Sequence, residues 1–200
     1  MGVDAVIFDL GGVLIDWDPR HLYRTVFADE DEMERFLATV CTMEWHYQHD
    51  LGTPMSETVP ALAARFPEYD AQIRMWTEQD AMVGGEVPEV VEILRRLRDR
   101  SVPCFALTNW PSECFPRVRA RFAFLAWFNG IVVSGEEGLA KPDHAIFRLL
   151  LDRFHLDALS TLFIDDSPGH IDAARALGLR THLFRSERAL AAELGELGLL

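Results

Sequence analysis

Short apolar runs rich in β-branched and aromatic residues punctuate the chain: Ala5-Val6-Ile7-Phe8, Cys104-Phe105-Ala106-Leu107, Ile131-Val132-Val133, Leu162-Phe163-Ile164 and His182-Leu183-Phe184. Runs of this length without polar alternation predict strands buried on both faces. Between them apolar residues recur at offsets 0, 3, 4 and 7, as in Val90, Ile93, Leu94 and Leu97, or Phe147, Leu150, Leu151 and Phe154. Each such set is one apolar stripe on a helix. From residue 86 onward strand alternates with helix, which predicts right-handed βαβ units and a three-layer α/β core with a parallel sheet.

The stretch from about 16 to 85 breaks this rhythm. It holds no convincing strand and reads as an all-helical insertion, leaving 1–15 and 86–200 as the core. Asp18-Pro19 can open one helix with proline at its first position, Asp29–Val40 is a second, Ser56 can cap a third containing Val59, Leu62 and Phe66, and Glu68–Val83 is a fourth. Gly84-Gly85 followed by Pro88 marks the hinge back to the core. The tail from Arg188 to Leu200 is a helix whose stripe, Leu190, Leu194 and Leu197, is expected to pack on the core.

Composition narrows what such a chain can do. Its 200 residues are 49% apolar, enough for a sizeable core, and allow one domain with an insertion. Asp and Glu number 32 against 19 Lys and Arg, a formal charge of −13, which repels nucleic acid and anionic membrane at long range. No run of 18 apolar residues is present, and Asp4 and Asp9 do not suit a secretory signal. Cys41, Cys104 and Cys114 form an odd set without CxxC spacing, so reduced thiols and a cytoplasmic location are expected. A monomer or homodimer acting on a small molecule fits this picture.

In open parallel sheets, ligands bind beyond the carboxyl ends of the strands. There the sequence places Asp9, Thr108-Asn109, Lys141 and Asp165-Asp166. Carboxylates gathered in one crevice repel one another, and a divalent cation with a lysine is an effective way to keep them ionised. Mg²⁺ suits one or two carboxylates, waters and a substrate phosphate. A carboxylate after the first strand can attack phosphorus and form an aspartyl-phosphate, with Thr108 and Lys141 neutralising the phosphoryl oxygens. Asp9 is the candidate nucleophile.

Four motifs in order, FDLGGVL at 8–14, LTN at 107–109, Lys141 in AKPDHAIF, and FIDDS at 163–167, resemble the haloacid dehalogenase-like hydrolase superfamily over essentially the whole chain. The resemblance implies a Rossmann-like core with a helical cap between the first and second motifs. It also implies Asp9 as nucleophile, Thr108 and Lys141 as phosphate binders, and a Mg²⁺ ion on Asp9, the Gly11 carbonyl and Asp166, with Asp165 supporting or replacing Asp166. Asn109 orients Asp9 or the phosphate, or caps the next helix. One departure stands out: Gly11 occupies the place where most family phosphatases carry the acid that protonates the leaving oxygen. Asp16 and Asp18 are candidates to deputise. Substrates with good leaving groups, such as anomeric sugar phosphates, suffer least from the loss, so a sugar phosphate is the expected substrate.

Other readings belong beside this one. A 2-haloacid dehalogenase would use the same Asp9 without acid or metal; Gly11 favours it and Asp165-Asp166 argues against it. A catalytically idle binding protein of the same fold would have no use for the nucleophile, the lysine and the acidic pair together. His46, His49 and Asp50 share one helical face and are expected on a solvated or substrate-facing surface of the insertion, and Trp45 is expected in its core. His170 stands about where many relatives carry another acid.

Overall fold

A computed structural model describes residues 2–200. The first strand, β1 (Ala5–Phe8), is buried throughout and runs into a tight turn in which the amides of Val13, Leu14 and Ile15 all donate to the Leu10 carbonyl. A short strand β2 (Ile15–Trp17) follows. Five helices come next: α1 (Pro19–Tyr23), α2 (Glu30–Thr39), α3 (Met43–Asp50), α4 (Met55–Arg65) and α5 (Asp70–Arg74). The chain returns through β3 (Val83–Glu86) and then alternates: α6 (Pro88–Asp99), β4 (Cys104–Thr108), α7 (Phe115–Arg121), β5 (Gly130–Val133), α8 (Ser134–Glu137), α9 (His144–Phe154), β6 (Thr161–Asp165), α10 (Pro168–Ala176), β7 (Arg180–Leu183) and α11 (Glu187–Glu196).

The main sheet is five-stranded and wholly parallel, in the order β5-β4-β1-β6-β7. Alternate residues of each strand feed opposite faces, so the apolar runs seen in the sequence serve two cores at once. Ile7, Leu107 and Phe163 pack with Phe147, Leu150 and Ala174 on the α9–α10 side. Val6, Ala106 and Ile164 join Val90, Leu94, Leu97, Leu190 and Leu194 on the α6–α11 side. Leu197 is only partly buried against the latter. β1 lies between β4 and β6, so the chain departs to either side of it and opens a crevice at its carboxyl end.

The insertion is helical as expected, with corrections. Its two ends are strands: β2 pairs antiparallel with β3, Ile15 opposite Glu86 and Asp16 opposite Gly85, so Gly84-Gly85 sits in a hydrogen-bonded ribbon and not in an open hinge. A Cβ at Gly84 would lie 2.2 Å from Asp16 Oδ2. Asp18 and Asp29 cap α1 and α2, but α4 starts at Met55, with Ser56 inside it and Pro54 at the cap position. The expected helix over Glu68–Val83 is a series of short turns around α5. There the Gln72 carbonyl accepts from the Tyr23 hydroxyl (3.0 Å) and the Trp76 carbonyl from the Gln79 amide (2.7 Å). Aromatic packing of Tyr23 against Phe36 and Trp76 forms the heart of the insertion, with Trp45 edge-on to Trp76.

Candidate active site

Asp9, Thr108 and Asp165 close β1, β4 and β6, so neighbouring strands bring all three to one edge. Lys141 reaches the same edge from the loop before α9. Its side chain is 0% exposed, and Nζ lies 2.9 Å from Asp9 Oδ2 and 2.7 Å from Asp165 Oδ2. Each carboxylate is also held from its other oxygen. Asp9 Oδ1 accepts from the Leu10 amide (2.7 Å), and Asp165 Oδ1 from the Ser167 amide (2.8 Å). His170 Nδ1 stands 3.0 and 3.1 Å from the two Asp165 oxygens.

These contacts divide the charges unevenly. Burial on its own would raise Asp165, but the Lys141 ammonium and His170 outweigh it and hold that carboxyl well below the usual range. Asp9 goes the other way: burial pushes it up, Lys141 opposes, and the neighbouring Asp165 and Asp166 charges add to the rise. Asp166 is raised by burial and by Asp165. Three carboxylates therefore face one ammonium, and a nucleophilic Asp9 needs more positive charge than the protein provides. The donors suit a hard divalent cation. One ligand atom from each of Asp9, Asp165 and His170 lies within 4.8 Å of the others. Asp166 lines the same cavity, and its Oδ2 stands over Gly12, whose φ of +74° and lack of Cβ leave space for it; a Cβ there would be 2.4 Å away.

The remaining sequence candidates take distinct places. Thr108 is wholly buried beneath the cavity lining, with a hydroxyl that has no hydrogen-bond partner among the described residues. Asn109 lines the cavity, but its side-chain amide is engaged elsewhere. It donates to the Lys141 carbonyl and accepts from the Lys141 amide, both at 2.9 Å, and so fixes the lysine's backbone. A Cβ at Gly11 would meet nothing closer than Trp110 at 3.8 Å and Trp17 at 3.9 Å. Asp16 is bound to His21 (2.9 Å) and does not line the cavity. Asp18 does, but its Oδ1 receives the Arg20 amide and guanidinium.

Above these groups lies a cavity of about 740 Å³ between the strand ends and the insertion. Trp17, Trp110, Leu37 and Met43 give it apolar walls, and Arg20 with Glu34 a polar one. The sequence reading missed these walls; Trp17 lies three residues beyond the first motif and Trp110 directly after the second, which is the signal that could have found them. His46, His49 and Asp50, expected on a solvated or substrate-facing surface, are all buried; His46 and Asp50 line the cavity and His49 does not. Burial, helped by the neighbouring His49, lowers His46 to about 3, and burial lowers His49 to about 4, so both rings are neutral.

The haloacid dehalogenase-like hydrolase family matches residues 3–178, and the chain belongs to it. Its relatives include the sesquiterpene phosphatase astK of Aspergillus oryzae, 28% identical over 187 residues that span 88% of this chain and 86% of the relative. A phosphorylated carbohydrates phosphatase of Thermotoga maritima is 26% identical over 187 residues, 88% of this chain and 82% of that protein. The chain is thus a hydrolase whose relatives of known activity include phosphatases. Among solved structures, the HAD family enzyme bt-2542 of Bacteroides thetaiotaomicron superposes with a TM-score of 0.74 at 22% identity, covering 92% of this chain and 95% of that one. The L-2-haloacid dehalogenase of Xanthobacter autotrophicus has a TM-score of 0.65 at 16% identity over 97% and 83%. Both share the fold.

Proposed function

We propose that the chain is a Mg²⁺-dependent phosphomonoester hydrolase that works through an aspartyl-phosphate on Asp9. Residues 1–15 and 86–200 act as the catalytic core and 16–85 as a cap over the substrate. The observation that carries this reading is the buried Lys141 ammonium shared by Asp9 and Asp165 at adjacent strand ends. It keeps the nucleophile oriented and leaves positive charge where phosphoryl oxygens would gather. The Thr108 hydroxyl, buried without a partner, is the second phosphate donor. Asn109 positions Lys141 through its main chain. Asp9, the Gly11 carbonyl, Asp166 and Asp165 would hold the Mg²⁺ ion, with His170 bracing Asp165. When bound, such an ion neutralises the phosphate and the crowded carboxylates. The bt-2542 enzyme has been crystallised with magnesium and inorganic phosphate, which supports this choice of ion.

For the leaving group, a sugar is the first candidate: Trp17 and Trp110 offer ring faces and the Asp18–Arg20–Glu34 group offers hydrogen bonds. The carbohydrate phosphatase relative favours it, and the sesquiterpene phosphatase relative makes an isoprenoid phosphate the class to compare. Gly11 favours a second reading, dehalogenation, which needs no acid at that position. A panel of sugar, isoprenoid, alkyl and aryl phosphates with 2-haloacids, each with Mg²⁺ and with EDTA, separates the two. Phosphate release that EDTA abolishes is expected. Halide release that EDTA does not affect would overturn the assignment. Asp9→Asn is expected to abolish turnover of every substrate, because an amide is too poor a nucleophile.

A further inference from the structure

The cavity is lined by five acids. Asp9 and Asp166 belong to the strand ends, and Asp18 and Glu34 are both occupied by Arg20. Asp50, the last residue of α3, is unlike them. It is 7% exposed, and its Oδ1 is fully buried with no hydrogen-bond partner among the described residues. His46 Nε2 stands 3.6 Å from that oxygen, beyond a hydrogen bond. His46 Nδ1 receives the Trp76 indole N–H (3.2 Å), a group that can only donate, so the neutral ring carries its own proton on Nε2 and offers Asp50 no charge. The cation that does act on Asp50 is Lys141, across the cavity.

The position of Asp50 is fixed relative to the strand ends. Two residues on, Gly52 has φ +92° and comes so close to the Gly135 carbonyl that a Cβ would lie 2.9 Å from it. The Met55 amide donates to Glu113 Oε1 at 2.8 Å, a second link from the cap to the core. Asp50 is thus a buried carboxyl with one oxygen unpartnered among the described residues, lining the same cavity as the nucleophile.

We propose that Asp50 is the catalytic acid and base of the hydrolysis, supplied by the cap in place of the residue that Gly11 lacks. The proposal rests on the phosphatase reading. Asp9 attacks phosphorus, the bond from phosphorus to the leaving oxygen breaks, and that oxygen takes the Asp50 proton to depart as an alcohol. A water then attacks the phosphorus of the aspartyl-phosphate and gives its proton to the Asp50 carboxylate. The bond from phosphorus to Asp9 breaks, releasing phosphate and restoring both side chains. Burial, opposed by Lys141, raises the Asp50 carboxyl to about 7, where it can both give and take a proton near neutrality.

The test compares kcat/KM, with Mg²⁺, for an alkyl phosphate and for 4-nitrophenyl phosphate, whose leaving group departs unprotonated. Asp50→Asn should lower the alkyl rate by about 10² or more and the aryl rate by less than about tenfold. Adding Gly11→Asp, where a Cβ makes only ordinary contacts, should return at least about a tenfold share of the alkyl rate. Equal losses on both substrates, or none, would overturn the proposal while leaving the phosphatase reading intact. Wild-type protein inert to every phosphate would overturn the reading beneath it. Should Asp50→Asn not fold, substituted phenyl phosphates on the wild type decide: a shallow dependence on leaving-group basicity is expected, and a steep one refutes the assignment.

Discussion

Replacing Lys141 with methionine keeps the bulk of its side chain and removes the ammonium that lies 2.9 Å from Asp9 and 2.7 Å from Asp165. Two buried carboxylates are then left facing each other without the ammonium they shared. Breaking a buried ion pair from one side typically costs about 3–5 kcal/mol, because the surviving charge stays desolvated. Domains are commonly stable by about 5–15 kcal/mol, so the variant should be marginal. With an m-value of about 2 kcal/mol/M, the urea midpoint in EDTA should fall by about 2 M. A second substitution, Asp165→Asn, removes one of the stranded charges and should recover at least half of the loss. The pH dependence follows from the depressed Asp165 carboxyl of the wild type, whose contribution is complete above the unfolded value of about 3.9 and lost on acidification below it. In the Met variant the stranded carboxyls are protonated as pH falls, so the two stability curves should converge in acid. A variant within about 1 kcal/mol of wild type at neutral pH, or a gap that does not change with pH, would refute this account of the site.

Gly12→Ala should lower stability by about 1–2 kcal/mol, from a left-handed backbone that alanine resists, and should weaken Mg²⁺ binding by displacing Asp166; thermal unfolding and calorimetry read the two effects. Asn109→Ala frees the Lys141 main chain and should reduce kcat by about tenfold with a smaller change in KM, as expected when a catalytic group loses its orientation. Gly84→Ala should open the β2–β3 ribbon, and limited proteolysis should then cut near residues 15–17 or 83–86 faster than in wild type. Mg²⁺ should raise the melting temperature of wild type, and Asp166→Ala should diminish that rise.

The core was legible because its strands are buried on both faces, so Ala5–Phe8, Cys104–Leu107 and Leu162–Ile164 stand out as unbroken apolar runs. The last strand lies at Arg180–Leu183, earlier than the apolar residues 182–184 suggested, because it is an edge strand buried only in part. β2 and β3 were invisible. They are three and four residues long, contain Asp16 and Gly84-Gly85, and exist through a pairing across some 70 residues that no local pattern records. Residues at strand ends were readable as a group, since topology alone brings Asp9, Thr108 and Asp165 together. The burial of Asp50 and His46 was not, because helical spacing tells which residues share a face and not what that face meets. The site of His170 against Asp165 likewise needed the turn between β6 and α10.

The ribbon of β2 and β3 also bears on how such a chain could change its substrate. Both crossings between core and insertion run side by side, at the roughly 4.8 Å spacing of paired strands, so the insertion begins and ends at nearly one point in space. A segment of different length or shape can be grafted between residues 18 and 82 with little added closure entropy, which grows only slowly with loop length. The strands and Lys141 would be untouched by such an exchange. Asp50 would not, and any replacement would have to bring its own proton donor to the cavity. On the proposed reading, the insertion's cavity walls and the Asp50 acid are then inherited together, as one exchangeable part.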